Sequence, residues 1–434
     1  MARASRARES KPPSVAFWRR FLQRSDAERL AACTALDIGT EFAKALVFEV
    51  GEDGAATVRG VGRRRQGLAH MQSGTVADIG AVVENCHVAL QEAEEMAGFR
   101  SSQVIIGIAG ELVKGFTTSV SQERKRPDQQ LSERELDTLI ESVEREALRE
   151  AERTVTWETG LPNVDIRLVH AAIGGASIDG YTVTNPVGFH GRHVRISVFN
   201  AFAPLIHLGA LQTVAGMLDL ELVAIVAEPY AVARCMDDEQ VQQAGALFVD
   251  VGGGTTDVAL VRQGGIEGTR MFALGGRAFT KSLADRLELP FARAEEAKVD
   301  YSKGVAVDHN AEIKEIIGED IAVWQAGVEL VLEEFARSGM LPGRIYICGG
   351  GARLPEIGAA LRDPEFAHHV QFARPPQVEA IKVAQVAQIA DATGLLVDEQ
   401  DITPMALAHQ ALEMSAPESA LDAALRRVLR QMKV

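Results

Sequence analysis

Two apolar strands in this chain each run into an Asp-x-Gly turn, about half a chain apart: Leu36-Asp37-Ile38-Gly39-Thr40 and Val249-Asp250-Val251-Gly252-Gly253-Gly254-Thr255-Thr256-Asp257. After each turn an apolar strand resumes, Ala45 to Val50 and Val258 to Val261, so each site reads strand, tight turn, strand. Glycine lets the backbone approach a ligand with no Cβ in the way, and the turn amides can then face phosphate oxygens. A carboxylate at the end of each strand, Asp37 and Asp250, can hold a hydrated Mg²⁺ between the two turns. Two such hairpins closing on one nucleotide constrain the chain more than any other feature it has.

The rest of the chain supports that architecture. Helical patterning from about Asp78 to Met96 follows the first hairpin, and a short strand runs from Val104 to Ala109. Ser132-x-x-Glu135 reads as a capping box opening a helix to about Arg149. Strand patterns return at 163–172 and 193–202, then a helix at about 204–219, a strand from Leu222 to Val226, and a helix opened by Glu228-Pro229. The second half repeats the order: strands at 246–262 and 266–274, Gly275-Gly276, helices to about Leu289, at 291–301 and at about 311–339, and a buried strand from Arg344 to Cys348 ending in Gly349-Gly350-Gly351. Strands then helices, twice over, predict a duplicated α/β fold with a ligand cleft between the halves. With Leu354 in the last position, the glycine run fits neither a dinucleotide fingerprint nor a P-loop.

Composition narrows the function classes. The four cysteines are scattered with no Cys-x-x-Cys, and the ten histidines include no His-Glu-x-x-His, so neither a disulfide framework nor a zinc site is predicted. No stretch reaches the ~18 uninterrupted apolar residues of a membrane span. The net charge of −15 is uneven: residues 1–24 carry +6 and residues 421–434 carry +3, leaving −24 on the body. An acidic body argues against nucleic acid as a partner and leaves the basic ends for an anionic surface.

Hairpin, hairpin, glycine turn, in that order, resembles the actin-like ATPase superfamily. The resemblance implies two phosphate motifs, an adenosine motif, and two connecting helices, placed at Ala227-Glu228-Pro229-Tyr230-Ala231-Val232-Ala233 and at Ala390-Asp391-Ala392-Thr393-Gly394-Leu395. Gly67-Leu68, Gly74-Thr75-Val76-Ala77-Asp78, Ile108-Ala109-Gly110, Ile178-Asp179-Gly180, Asn185-Pro186-Val187-Gly188, Gly191, Gly275-Gly276 with Thr280-Lys281, and Ala294-Glu295-Glu296-Ala297-Lys298 resemble the family of the bacterial cell-division protein FtsA. The likeness covers about residues 34–400 and extends to the pilus-assembly relative PilM.

The resemblance implies an α/β, actin-like ATPase fold of two lobes around a nucleotide cleft, with an inserted SHS2-type subdomain in the first lobe. The implied organisation is a basic N-terminal tail at 1–30 and a first lobe at 31–99 and 191–232 around the inserted subdomain at 100–190. A second lobe at 233–297 and 340–400 holds a shortened small subdomain at 298–339, and a C-terminal tail occupies 401–434. ATP and Mg²⁺ are the implied cofactors. Asp37 and Asp250 would hold the metal through waters, or cap their turns as buried aspartates. Gly39, Thr40, Lys44, Gly252, Gly253, Gly254 and Thr255 would contact phosphates, with Gly275, Gly276, Gly349, Gly350 and Gly351 completing the nucleotide site. Asp257 is as well suited to bracing its hairpin. Glu228 would orient the attacking water, with Asp37 and Asp250 the other catalytic groups, or it complements its helix dipole. Glu295 and Lys298 would reach ribose and adenine, or pair with each other at i, i+3.

At the C-terminus Leu421, Leu425, Val428, Leu429 and Met432 form an apolar stripe among Arg426, Arg427, Arg430 and Lys433. That composition suits an anionic lipid interface, and FtsA proteins carry such a helix; docking on the protein's own core is the other fate of a stripe like this. Phe17, Trp18 and Phe21, beside Arg19 and Arg20, make a second interfacial candidate, too short in its apolar run for a signal peptide. The implied function is an actin-like ATP-binding cell-division protein, cytoplasmic and peripheral on the inner face of the cell membrane, that polymerises with copies of itself and anchors the division ring, with slow hydrolysis serving as a switch. The C-terminal tail of FtsZ is an implied partner, weakened by the short stretch between Lys298 and Arg344. The alternative is a PilM-like scaffold of a pilus or secretion machine. A chaperone would need a further domain beyond residue 400, and the inserted subdomain argues against a sugar kinase.

Overall fold

The structure, a computed structural model, describes residues 31–161, 164–416 and 418–432. The aromatic cluster of Phe17, Trp18 and Phe21 and the basic Lys433 lie outside the described residues.

The first lobe opens with β1 (Ala32–Ile38), buried on both faces as its apolar run requires of a central strand. β2 (Phe42–Val50) and β3 (Ala56–Arg65) continue it as an antiparallel meander. α1 (Ile79–Ala97) is started by Asp78, whose side chain accepts the Ala81 N–H, and stopped at Gly98 in the left-handed region. β4 (Gln103–Ile108) returns parallel to β1. The chain then builds β5 (Lys114–Glu123), α2 (Glu133–Thr159), β6 (Ile166–Ile178), β7 (Tyr181–Thr182) and β8 (His193–Pro204). α3 (Leu205–Met217) and β9 (Glu221–Ala227), parallel to β4, lead into α4 (Glu228–Arg234).

The second lobe repeats the plan. After α5 (Glu239–Ala244) comes the meander β10 (Ala246–Val251), β11 (Thr256–Arg262) and β12 (Gly265–Phe272). α6 (Gly276–Arg286), α7 (Phe291–Ser302) and α8 (Asn310–Ala336) precede β13 (Arg344–Cys348), which lies parallel to β10. α9 (Pro355–Leu361), α10 (Pro364–His369) and β14 (Gln377–Ala380) complete it. β15 (Ile389–Asp391), α11 (Ile402–Ser415) and α12 (Ala420–Met432) end the described chain.

The strand orders are β9-β4-β1-β2-β3-β15 and β14-β13-β10-β11-β12-β5-β8-β6-β7. In each lobe a three-stranded meander carries two parallel strands beside its first strand, the duplication expected from the sequence. The larger apolar core fills the first lobe and continues onto one face of the second-lobe sheet, at Phe248, Ala259 and Tyr346; the other face of that sheet has a core of its own, and the inserted strands, α2 and α12 form two smaller ones.

Several boundaries move. β4 belongs to the first-lobe sheet, not to the inserted unit assigned to 100–190, and β8 sits inside the inserted sheet between β5 and β6. α2 runs ten residues past Arg149 because Ala151 and Val155 extend its buried face; it stops at Gly160, φ +65°. Ser132 caps α2, but Glu135 does not reach back; it takes both arms of Arg124 at 2.8 and 3.0 Å. The stretch 298–339 is no separate small subdomain: Ile313, Trp324 and Phe335 of α8 are buried in the second-lobe core.

The second connecting helix is also misplaced by the sequence reading. Residues 389–391 form β15 on the edge of the first sheet, and the following turn is tied by Asp391 accepting the Thr393 and Leu396 N–H groups. The connecting helix is α11, buried from Ile402 through Leu412. Finally, the C-terminal stripe faces protein. Leu421, Leu425 and Val428 are buried and Leu429 and Met432 half-buried on the inserted subdomain, against Leu136, Ile140 and Val143 of α2 and Ala176 and Ile178 of β6. α2 leaves that face of the subdomain uncovered, α12 fills it, and Arg427 ties it to Asp137 at 2.8 Å.

Candidate functional site

The two Asp-x-Gly turns meet across the lobes. The β1–β2 register sets Asp37 opposite Lys44, so the turn that places the carboxylate also places its cation; Lys44 Nζ donates to Asp37 Oδ2 at 2.8 Å and to the Gln400 carbonyl at 2.9 Å. At the end of β10, Asp250 accepts the Thr403 hydroxyl at 2.7 Å. Two residues into the return strand, Asp257 accepts the Thr255 hydroxyl at 3.2 Å. A Cβ on Gly253 would stand 2.9 Å from the Glu41 Cβ, so only glycine lets the turns come this close. The glycine run after β13 reaches the same place: Gly349, at φ +86°, donates its N–H to the Glu399 carbonyl at 2.9 Å.

These turns line one interlobe cavity of about 430 Å³ with Gly39, Thr40, Gly252, Thr255, Gly276, Glu295, Lys298, Gly350 and Gly351. Gly254 and Gly275 are not among the lining residues; Gly254 packs on Thr40 and Gly275 on the Gly252–Thr255 backbone. Glu228, the first residue of α4, also lines the cavity, with Oε1 2.4 Å from where a Cβ on Gly107 would lie. Lys298 is buried and donates to the Gly276 carbonyl at 2.8 Å, the Thr280 hydroxyl at 2.7 Å and Glu295 at 2.8 Å. The i, i+3 pair and the cavity wall are thus one arrangement.

The electrostatics of the cleft favour a cation. Burial, with help from Asp37, Asp257 and Asp250, pushes the Glu228 carboxyl well above its ordinary range. Burial also raises Asp250, and burial with the Asp250 charge pushes Asp257 up to about 8. Burial opposes the charge on Lys44, but its pairing with Asp37 outweighs this and the lysine is held above its usual value. Among the described residues at this end of the cleft, the carboxylates of Asp37, Glu228, Asp250 and Asp257 outnumber Lys44, the cation paired with Asp37, which fits a Mg²⁺ bound through water. Among the described residues no group of three His, Cys, Asp or Glu is close enough to ligate a metal directly.

A pH dependence follows. With a folded pKa above its unfolded one, Asp257 takes up a proton on folding between about pH 4 and pH 8. Stability of the nucleotide-free protein is therefore expected to fall as pH rises through that window, with Asp257 adding up to about 1.4 kcal/mol per pH unit. Calorimetric Tm values from pH 5 to 8 should fall more steeply for wild type than for Asp257→Asn; parallel slopes would reject this account.

Other residues of the site had no signal in the sequence. Arg63 ion-pairs with the buried Asp401, Arg353 holds Asp398 at 2.8 Å, and with Lys44, Gly349 and Thr403 they fasten the segment 398–403 to both lobes. Each contact joins residues distant in the chain. Thr403-Pro404 ahead of an apolar run was the available cue to α11, since proline suits a first helical turn.

The fold, two lobes around a cleft, is the actin-like ATPase fold. The solved PilM-PilN type IV pilus biogenesis complex matches it with a TM-score of 0.59, covering 88% of this chain and 98% of that chain at 18% identity. In sequence the chain is similar to the cell-division protein FtsA, whose family model matches residues 247–393. FtsA of Pseudomonas aeruginosa is 26% identical over 374 residues, covering 80% of this chain and 84% of the relative. FtsA of Bacillus subtilis is 25% identical over 356 residues, 76% of each chain. The resemblance read from the motifs extends across most of the chain.

Proposed function

We propose that this protein is an ATP-binding, actin-like cell-division protein that polymerises at the inner face of the cell membrane and anchors the division ring. The observation that carries the reading is the convergence of both Asp-x-Gly turns, Glu228 and the glycine run on one cleft, in a chain similar to FtsA. In this reading the turn amides of Thr40, Gly253 and Thr255, with Lys44, hold the phosphates, while Gly39 and Gly252 give their N–H groups to the Phe42 and Thr255 carbonyls and keep the turns tight. Asp37 and Asp250 would hold a hydrated Mg²⁺, which would supply charge neutralisation for phosphoryl transfer. Glu228 accepts a hydrogen bond from the attacking water, and Gly276, Glu295, Lys298 and Gly349–Gly351 enclose the nucleoside.

Among the described residues no helix is long and apolar enough to cross a membrane, so attachment would be peripheral. The docked α12 has then to leave its seat before its stripe can meet lipid. Asp137→Lys, which sets a like charge against Arg427, is expected to raise co-sedimentation with anionic vesicles about fivefold. Unchanged binding would count against α12 as the tether. Binding of the FtsZ tail rests on the FtsA likeness alone, since 298–339 packs into the second-lobe core.

Electron microscopy on anionic lipid monolayers with Mg-ATP, with and without an FtsZ tail peptide, tests the whole reading. ATP-dependent filaments support it. The second reading, a PilM-like scaffold, is favoured by the fold match and by the docked stripe. Absence of both filaments and peptide binding would select it.

A further inference from the structure

We infer that Arg277 and Glu41 form a clamp across the mouth of the cleft that controls nucleotide release. The inference rests on the nucleotide reading of the same cavity. Glu41 directly follows Thr40 in the first turn, and Arg277 directly follows Gly276 at the start of α6. The Arg277 main chain belongs to the second lobe, its N–H donating to the Gly253 carbonyl at 2.7 Å. Its side chain crosses to the first lobe, where Nε donates to Glu41 Oε2 at 2.7 Å and the two other nitrogens reach the Leu68 and Gln66 carbonyls at 3.4 Å.

Glu41 is gripped from its own lobe as well. Its other oxygen accepts Arg65 Nε at 2.6 Å, and its carbonyl accepts the Gln66 N–H at 2.8 Å. One carboxylate therefore sits between two guanidinium groups, one from each lobe. Both clamp side chains are largely covered, at 14% and 15% exposure, so water screens the pair little. All three residues line the cavity. The lobes cannot part at the phosphate end without breaking this pair, and a nucleotide held between the turns leaves only when they do. Loss of one partner of a covered, hydrogen-bonded charge pair appears mainly in the dissociation rate.

The test is stopped-flow release of a fluorescent ATP analogue with Mg²⁺, chased by excess ATP. Arg277→Ala and Glu41→Gln are each expected to speed release on the order of tenfold or more with little change in association rate. The double variant should release no faster than the quicker single one, because both act through one contact. Arg286→Ala, which removes the exposed pair with Glu319, serves as control and should match wild type. Release rates equal to wild type in both single variants, with fold and Tm intact, would overturn the clamp. Additive effects in the double variant would overturn it too. A wild-type protein that binds no analogue would instead overturn the nucleotide reading beneath it.

Discussion

Glu228→Gln is expected to slow ATP hydrolysis on the order of 100-fold while Mg-ATP affinity stays within a few-fold. Burial and the carboxylates of Asp37, Asp257 and Asp250 hold the Glu228 carboxyl well above its ordinary range, and glutamine keeps its shape without adding a charge to that setting. Folding and ground-state binding therefore lose little. A bound Mg²⁺ would draw these pKa values down and favour the charged form, the one able to take a proton from water, which glutamine cannot do. Single-turnover hydrolysis beside equilibrium binding separates the two effects. An unchanged rate would leave Glu228 only the role of complementing the N-terminus of α4.

Trp324→Ala should cost about 3–5 kcal/mol of stability, read as a shift in denaturant midpoint at constant slope. Trp324 is fully buried in the second-lobe core, and its Nε1–H donates to the Thr256 hydroxyl at 2.9 Å. That hydroxyl in turn donates to the Leu274 carbonyl at 2.7 Å, tying the second Asp-x-Gly turn to the loop that leads into Gly275. Trp324→Phe keeps most of the packing and removes the indole donor, so it should cost nearer 1 kcal/mol. A loss of under 1 kcal/mol for the alanine variant would show that α8 is not the support of this hairpin.

The sequence was most informative where chemistry is local. Asp37 and Asp250 were readable because strand, turn and glycine lie in one short stretch, and the turn itself dictates where the carboxylate goes. Glu41 and Arg277 gave no signal, because the contact joins residues 236 apart and neither belongs to a motif. Arg63 and Asp401 are 338 apart and were as silent. The misplaced connecting helix has a different cause. Ala390 to Leu395 was placed from the resemblance, and its Asp, Thr and Gly suit a turn: Asp391 ties the segment into one and β15 pairs with β3. The helix stripe of Leu421, Leu425 and Val428 was legible as a stripe, whereas its receiver on α2 and β6 forms only once the inserted subdomain has folded.

The inserted subdomain leaves the chain from the first lobe, yet its β5 pairs with β12 of the second, Gly115 opposite Thr269 and Phe116 opposite Gly268. Its β6 and β8 also present His170 and Phe199 to Tyr230 on α4, with ring centroids 4.4 and 4.7 Å apart. Two bodies joined by a hinge have one relative motion to exploit. Here a third body touches both, pairing its main chain with the second lobe and packing its aromatic rings on α4, the helix that runs between the lobes. Any opening of the cleft would have to slide one of those seams, and the one that yields first would set the direction in which the lobes swing.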